Sequence, residues 1–142
     1  TTFLLVFFTQ ENSTVPAPMI DAVATTTPQS DTMDITIFIQ NKEIARVSDC
    51  GATKKVSYVI PKTTAVADAS LKILFENELA MYGQYDSVSI QNKIAKVKLK
   101  NHIQSLSSCE LAHLTSTSKD TLTQYPTITD IELSGPQGKF EF

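Results

Sequence analysis

A chain of 142 residues, 42% hydrophobic and 19% charged, has the composition of a globular protein and the length of one compact domain plus a tail. A formal net charge of −3 and a pI near 5.3 exclude the clustered basic face of a nucleic-acid binder. Four unclustered glycines form no phosphate-binding loop, and two cysteines without a C-x-x-C or a Cys/His cluster form no structural zinc site, so no cofactor or metal is expected.

The chain opens on an unbroken apolar run, Phe3, Leu4, Leu5, Val6, Phe7 and Phe8. It is too short to span a bilayer, which takes about 20 residues. Three readings stand: the trimmed end of a signal peptide or membrane anchor, a buried strand, or sequence foreign to the native chain. From Thr9 to Thr32 no period survives, and Pro16, Pro18 and Pro28 among Thr, Ser and Ala describe an extended linker. Asn12-Ser-Thr14 matches a glycosylation sequon, a pattern short enough to arise by chance. Residues 1–32 therefore read as an apolar segment plus spacer, and 33–142 as the folded domain. Such a spacer after an apolar segment is typical of surface proteins that hold a domain off a membrane.

Asp34–Ile39 alternates, with Ile35, Ile37 and Ile39 on one strand face. Ile44–Val47 is expected to return as a short strand after a turn at 40–43. Ser48–Ala52 is a loop in which Gly51 is free to take positive φ. Lys54–Ile60 is the next strand, with Val56, Tyr58 and Ile60 on one face and Pro61 as its stop. A helix over about 65–80, N-capped by Thr63 or Thr64, carries Ala67, Leu71, Leu74, Phe75 and Glu78 as a stripe and stops at Gly83. Ser87–Ile90 and Ile94–Leu99 form a hairpin. A Ser/Thr-rich helix over 105–124, capped by Ser105, Ser107 or Ser108, needs tertiary packing because its propensity is weak. Tyr125-Pro126 ends it, Ile128–Leu133 is a last strand, and Lys139–Phe142 a stub. This order specifies an α+β two-layer sandwich, with an antiparallel or mixed sheet, two helices packed on one face and an extended N-terminal segment.

Lys96, Lys98 and Lys100 share one strand face, which reads as a solvated face or a protected edge ahead of a phosphate-binding track. Cys50 and Cys109 each sit at the edge of an element. They suit a disulfide formed in an oxidising compartment, or else two buried thiols. No catalytic set emerges. His102 and His113 flank a helix start, and His113 with Glu110 at i−3 makes a surface pair. Glu76 and Glu78 fall on different helix faces, with a solvated face as the default. Tyr82 and Tyr85 near Gly83 form either packing at a helix end or a small recognition surface. No G-x-S-x-G elbow appears, so the chain is read as non-enzymatic.

Taken together, Asp34–Leu133 resembles the GerMN (sporulation and germination) domain of bacterial envelope proteins. Four pieces carry the likeness in order: the strand Asp34–Ile39; Val56–Pro61 followed by the helix Ala69–Leu79; the hairpin Val88–Leu99; and the ending Thr121-Leu-Thr-Gln-Tyr-Pro-Thr-Ile-Thr-Asp-Ile-Glu-Leu133. Lys93 stands where the family's hairpin has Gly, so Asn92 has to supply any positive φ. The resemblance implies a bacterial extracytoplasmic domain, similar to ring-building domains of secretion and sporulation machines, with no known catalytic residues. Some relatives carry cysteines where Cys50 and Cys109 stand, which favours the disulfide reading. The implied function is a non-catalytic cell-envelope domain, on the cell surface or secreted. Its partners are other envelope proteins, copies of itself or peptidoglycan, and it reaches a membrane only through an N-terminal anchor. The alternative is a structural subunit of an extracellular filament, assembled by donating Phe3–Phe8 as a strand to a neighbour.

Overall fold

The structure, a computed structural model, describes residues 29–46, 49–101 and 105–140. The chain divides into two units at Asp31, and every described element belongs to the unit Thr32–Phe142. The apolar run Phe3–Phe8, the linker residues up to 28 and His102 lie outside the described residues.

Alternating isoleucines make β1 (Thr32–Gln40), which pairs antiparallel with β2 (Thr53–Pro61) as a two-stranded sheet. Ile35 and Ile37 face inward opposite Tyr58 and Val56, as a period of two requires. A second sheet has the strand order β3 (Tyr85–Gln91), β4 (Ile94–Leu99), β5 (Asp130–Gly135) and β6 (Gly138–Lys139). It is mixed, because β4 and β5 run parallel while the other pairs are antiparallel. The helix α3 (Ser108–Thr123) makes the crossover that a parallel pair needs. With α2 (Val66–Asn77) it packs against the strands. Leu71, Leu74, Leu114 and Leu122 from the helices meet Ile37, Val97, Leu99 and Leu133 from the strands in one core. The fold is α+β, in keeping with a two-layer sandwich.

Several local expectations change. The return strand expected at 44–47 is not found at its described residues: Lys42–Ala45 is a one-turn helix, α1, and Val47 lies outside the described residues. Asn41 starts it by accepting from the Ile44 N–H at 3.4 Å, a capping geometry that outweighs the β preference of Ile44. Helix α2 is shorter than its apolar stripe. Ala65 is its N-cap, and the Thr63 hydroxyl accepts from the Ala65 N–H instead of capping the helix. The Glu78 and Leu79 N–H groups both turn back to Leu74 O, and a 3₁₀ turn at Ala80–Tyr82 follows before Gly83. In the hairpin Asn92 and Lys93 both take left-handed φ, 51° and 64°, so the two-residue turn is of the primed type without a glycine. Lys96 and Lys98 lie exposed on β4, an interior strand, so theirs is a solvated face and not a protected edge. Ser107 is the cap of α3 and forms a reciprocal capping box with Glu110.

The hydroxyl-rich α3 is explained by what it touches. Thr121 Oγ1 accepts from the Phe38 N–H at 2.9 Å, and Gln124 Nε2 donates to Thr36 O at 2.7 Å. These side chains take the backbone groups on the side of β1 that faces away from β2, which a sheet edge would otherwise leave open. Thr53 Oγ1 donates to Asp120 at 2.6 Å, so the hairpin is held from β2 as well. Replacing Thr121 with Val keeps the shape and strands the partly buried Phe38 amide. The expected loss is about 1–3 kcal/mol, seen as a lower urea midpoint at unchanged slope. Thr123→Val removes a hydroxyl that only returns to Lys119 O on the exposed side, and should shift stability by no more than about 0.5 kcal/mol. Equal effects of the two substitutions would remove Thr121 from this role.

Candidate functional site

Cys50 and Cys109 are joined, with Cα atoms 5.2 Å apart across 59 residues of sequence. The bond ties the loop before β2 to the first turn of α3. Gly51 presses against the same helix: a Cβ there would meet Ser116 Oγ at 2.7 Å. Gly51 does not take positive φ; any other residue there would have to displace the Ser116 hydroxyl. Cys50 O accepts from Gln40 Nε2 at 3.0 Å and Asn41 N donates to Ala52 O at 2.7 Å, so the loop is bonded at both ends. A disulfide is consistent with an extracytoplasmic location.

One turn along α3 from Cys109 lies His113, only 7% exposed. Its Nδ1 is 3.0 Å from the Tyr82 hydroxyl, and the two rings meet edge to face with centroids 5.5 Å apart. Its Nε2 is 3.4 Å from Glu78 Oε2, at ion-pair distance but without an aligned hydrogen bond. Glu78 Oε2 also accepts from the Gln40 N–H at 3.2 Å. A carboxylate facing Nε2 favours the proton on that nitrogen, so Nδ1 accepts and Tyr82 donates; the tautomer is assigned from this network. Glu78 caps the end of α2, Tyr82 closes the 3₁₀ turn, and His113 lies in the second turn of α3, so three consecutive helical features converge at one point. Together with Gln40, Lys42, Asn77, Met81, Cys109 and Glu110 they line a cleft of about 370 Å³.

Burial pushes the His113 imidazole below its ordinary value, and the Lys42 charge adds to this; Glu78 opposes it. Burial likewise raises the Tyr82 phenol, helped by Glu110 and Glu78. A phenol held in its neutral form is a donor, not a nucleophile. The Tyr82–His113–Glu78 line thus orders hydrogen bonds and does not generate an attacking group. Among the described residues no group of His, Cys, Asp and Glu is arranged to hold a metal ion, and no helix is long and apolar enough to cross a membrane.

His113 pairs with Glu78 rather than Glu110, whose carboxylate is taken up by the Ser107 N–H of the capping box. Glu78 turns inward, away from the solvated face expected for it. Tyr85 sits apart from Tyr82, stacked on Phe75 with its hydroxyl 2.6 Å from Asp68, so it lies along α2, whereas Tyr82 packs just past the end of that helix. Cys109 and His113, four residues apart, share one helical face, and Glu78 and Tyr82 have the same spacing. That the two pairs meet is a tertiary fact without a local signal.

Removing the disulfide, by Cys50→Ser with Cys109→Ser or by reduction, should lower stability by about 4 kcal/mol on the chain-entropy estimate, measured by denaturant unfolding. His113 adds a pH dependence. Its folded pKa lies below the unfolded one, so its stabilisation is complete above the unfolded value and is lost as pH falls toward the folded value. Stability should therefore decline as pH drops below about 6.5, and His113→Gln should make that decline shallower; parallel curves for the two proteins would contradict it.

Comparison with known proteins finds no matching family model, no matching curated protein and no matching solved structure.

Proposed function

We propose that the chain is a non-catalytic interaction module of the extracytoplasmic envelope, of the GerMN type it resembles, on the cell surface or secreted. It acts by contact with another envelope protein, a copy of itself or peptidoglycan. The observation that carries this reading is the open edge of β2. This nine-residue strand has β1 as its single strand neighbour among the described residues. Because α3 holds Thr36 and Phe38 from the side away from β2, their opposite numbers Ser57 and Lys55 also direct their backbone groups away from the β1–β2 ladder. Val59 on the same edge is 70% exposed. Strand addition to such an edge takes affinity from main-chain hydrogen bonds and selectivity from side chains. Lys54 and Lys55 at one end and Pro61 at the other restrict pairing to a short partner strand that tolerates positive charge.

The same edge favours a second reading, a filament subunit in which Phe3–Phe8 of one copy adds to β2 of the next. Ser57→Pro separates both readings from edge-independent binding, since it removes an N–H that the internal ladder does not use. In pull-downs of the full chain against isolated peptidoglycan and purified envelope proteins, Ser57→Pro should weaken partner capture about tenfold while leaving the fold intact by circular dichroism. Undiminished capture rules out the β2 edge as the contact. In the filament reading, deleting Thr1–Gln10 abolishes assembly in light scattering; unchanged assembly removes that reading alone.

A further inference from the structure

The cleft beside the disulfide has a chemistry that the strand edge does not use. Glu78 is largely buried on its floor, and one of its oxygens is committed: Oε2 holds the Gln40 N–H and faces His113. The other oxygen has no hydrogen bond among the described residues. His113, more than nine-tenths buried at this cleft, turns its Nε2 to the committed oxygen at 3.4 Å, without an aligned hydrogen bond. The Nε2–H faces the carboxylate, so what the cleft offers a ligand is the remaining oxygen of Glu78, an acceptor that calls for a donor. The charges around it are two carboxylates, Glu78 and Glu110, against the single ammonium of Lys42 at the rim. That balance disfavours an anion. Beside the polar Gln40 and Asn77, the wall has apolar surface from the Tyr82 ring, the disulfide at Cys109 and Met81, which is 73% exposed at the mouth.

We propose that this cleft binds a primary alkylammonium group, with the free oxygen of Glu78 as its counter-ion and Met81 and the disulfide against its alkyl stem. One available carboxylate oxygen suits the compact point charge of an ammonium. A guanidinium seeks both oxygens of a carboxylate for its planar fork, and here one is already taken. His113 is a positioning residue: with Tyr82 donating into Nδ1, Nε2–H faces Oε2 and fixes which oxygen stays open. Lys42 is the internal competitor, close enough for its charge to act on His113 but in no ion pair of its own among the described residues. The site does not depend on the β2 edge, and its test involves no partner capture.

The experiment is an NMR titration of the full chain, following the Met81 methyl and the His113 ring. The probes are 1,5-diaminopentane and Nα-acetyl-lysine amide, with 1,5-pentanediol and the Nα,Nε-diacetyl amide as neutral counterparts. Saturable shifts with the charged probes only are expected. Glu78→Gln should weaken them about tenfold and Lys42→Gln should strengthen them. Binding of both amines admits a lysine side chain of a polypeptide as ligand; binding of the diamine alone assigns a free amine; either supports the site. No saturable shift at millimolar probe, equal shifts with the neutral probes, or unchanged affinity in Glu78→Gln overturns it. Should Glu78→Gln disturb the fold, the neutral probes and Lys42→Gln decide the matter in a protein with Glu78 intact.

Discussion

Everything in the domain hangs on how α3 holds the β1–β2 hairpin. Two strands alone make a marginal sheet in water, and this pair does not join the other four. Its stability comes from a helix laid against it with polar side chains turned inward. Thr121 and Gln124 serve β1, Asp120 serves β2, and Cys109 and Ser116 meet the loop between α1 and β2. Cys109, Ser116 and Asp120 follow one face of the helix, at steps of seven and four. Thr117 and Thr121, four apart, lie fully buried beside it, with Thr117 returning its hydroxyl to His113 O at 2.7 Å. A helix with leucines at those positions would bury more apolar area and leave the strand edge unsatisfied.

This arrangement also shows where local pattern is a reliable guide. The faces of β1, β4 and β5 were legible because alternation is a property of a strand by itself: Ile35 and Ile37, then Ala95, Val97 and Leu99, then Ile131 and Leu133 are the inward residues. The hydroxyls of α3 signalled a helix held by its surroundings, without saying which groups it would hold. Ile44 reads as strand by pattern, whereas Asn41 starts a helical turn through a capping bond to the Ile44 N–H, a three-residue event invisible to periodicity. Glu78 falls at the end of the helical stripe, and a carboxylate there reads as solvated by default. In fact it sits just past the end of α2, where the backbone leaves helical geometry and the side chain swings toward α3.

The candidate site was the least legible part, and for a physical reason. Its members come from the end of α2, a 3₁₀ turn and the start of α3, and the approach is set by core packing and by the disulfide. Each residue has an ordinary local explanation: Tyr82 as helix-end packing, His113 as a surface partner of Glu110, Glu78 as a solvated charge. Only their convergence changes the chemistry, by committing one carboxylate oxygen and leaving the other without a hydrogen bond among the described residues. The disulfide thus has two effects. It restricts the unfolded chain, and it fixes the wall of a pocket one helical turn from the imidazole.

The bond between Phe38 and Thr121 joins residues 83 apart in sequence. A chain that emerges from its N-terminus first therefore displays β1 and β2 long before the helix that completes them exists. During that interval the edge of β1 that Thr121 and Gln124 later cover is open, and Cys50 has no Cys109 to meet. The order of synthesis runs against the order of stabilisation, because the last third of the chain closes the first. The lysines at one end of β2 and the proline at the other then guard more than the finished protein: they keep a half-made domain from pairing with its neighbours while it waits.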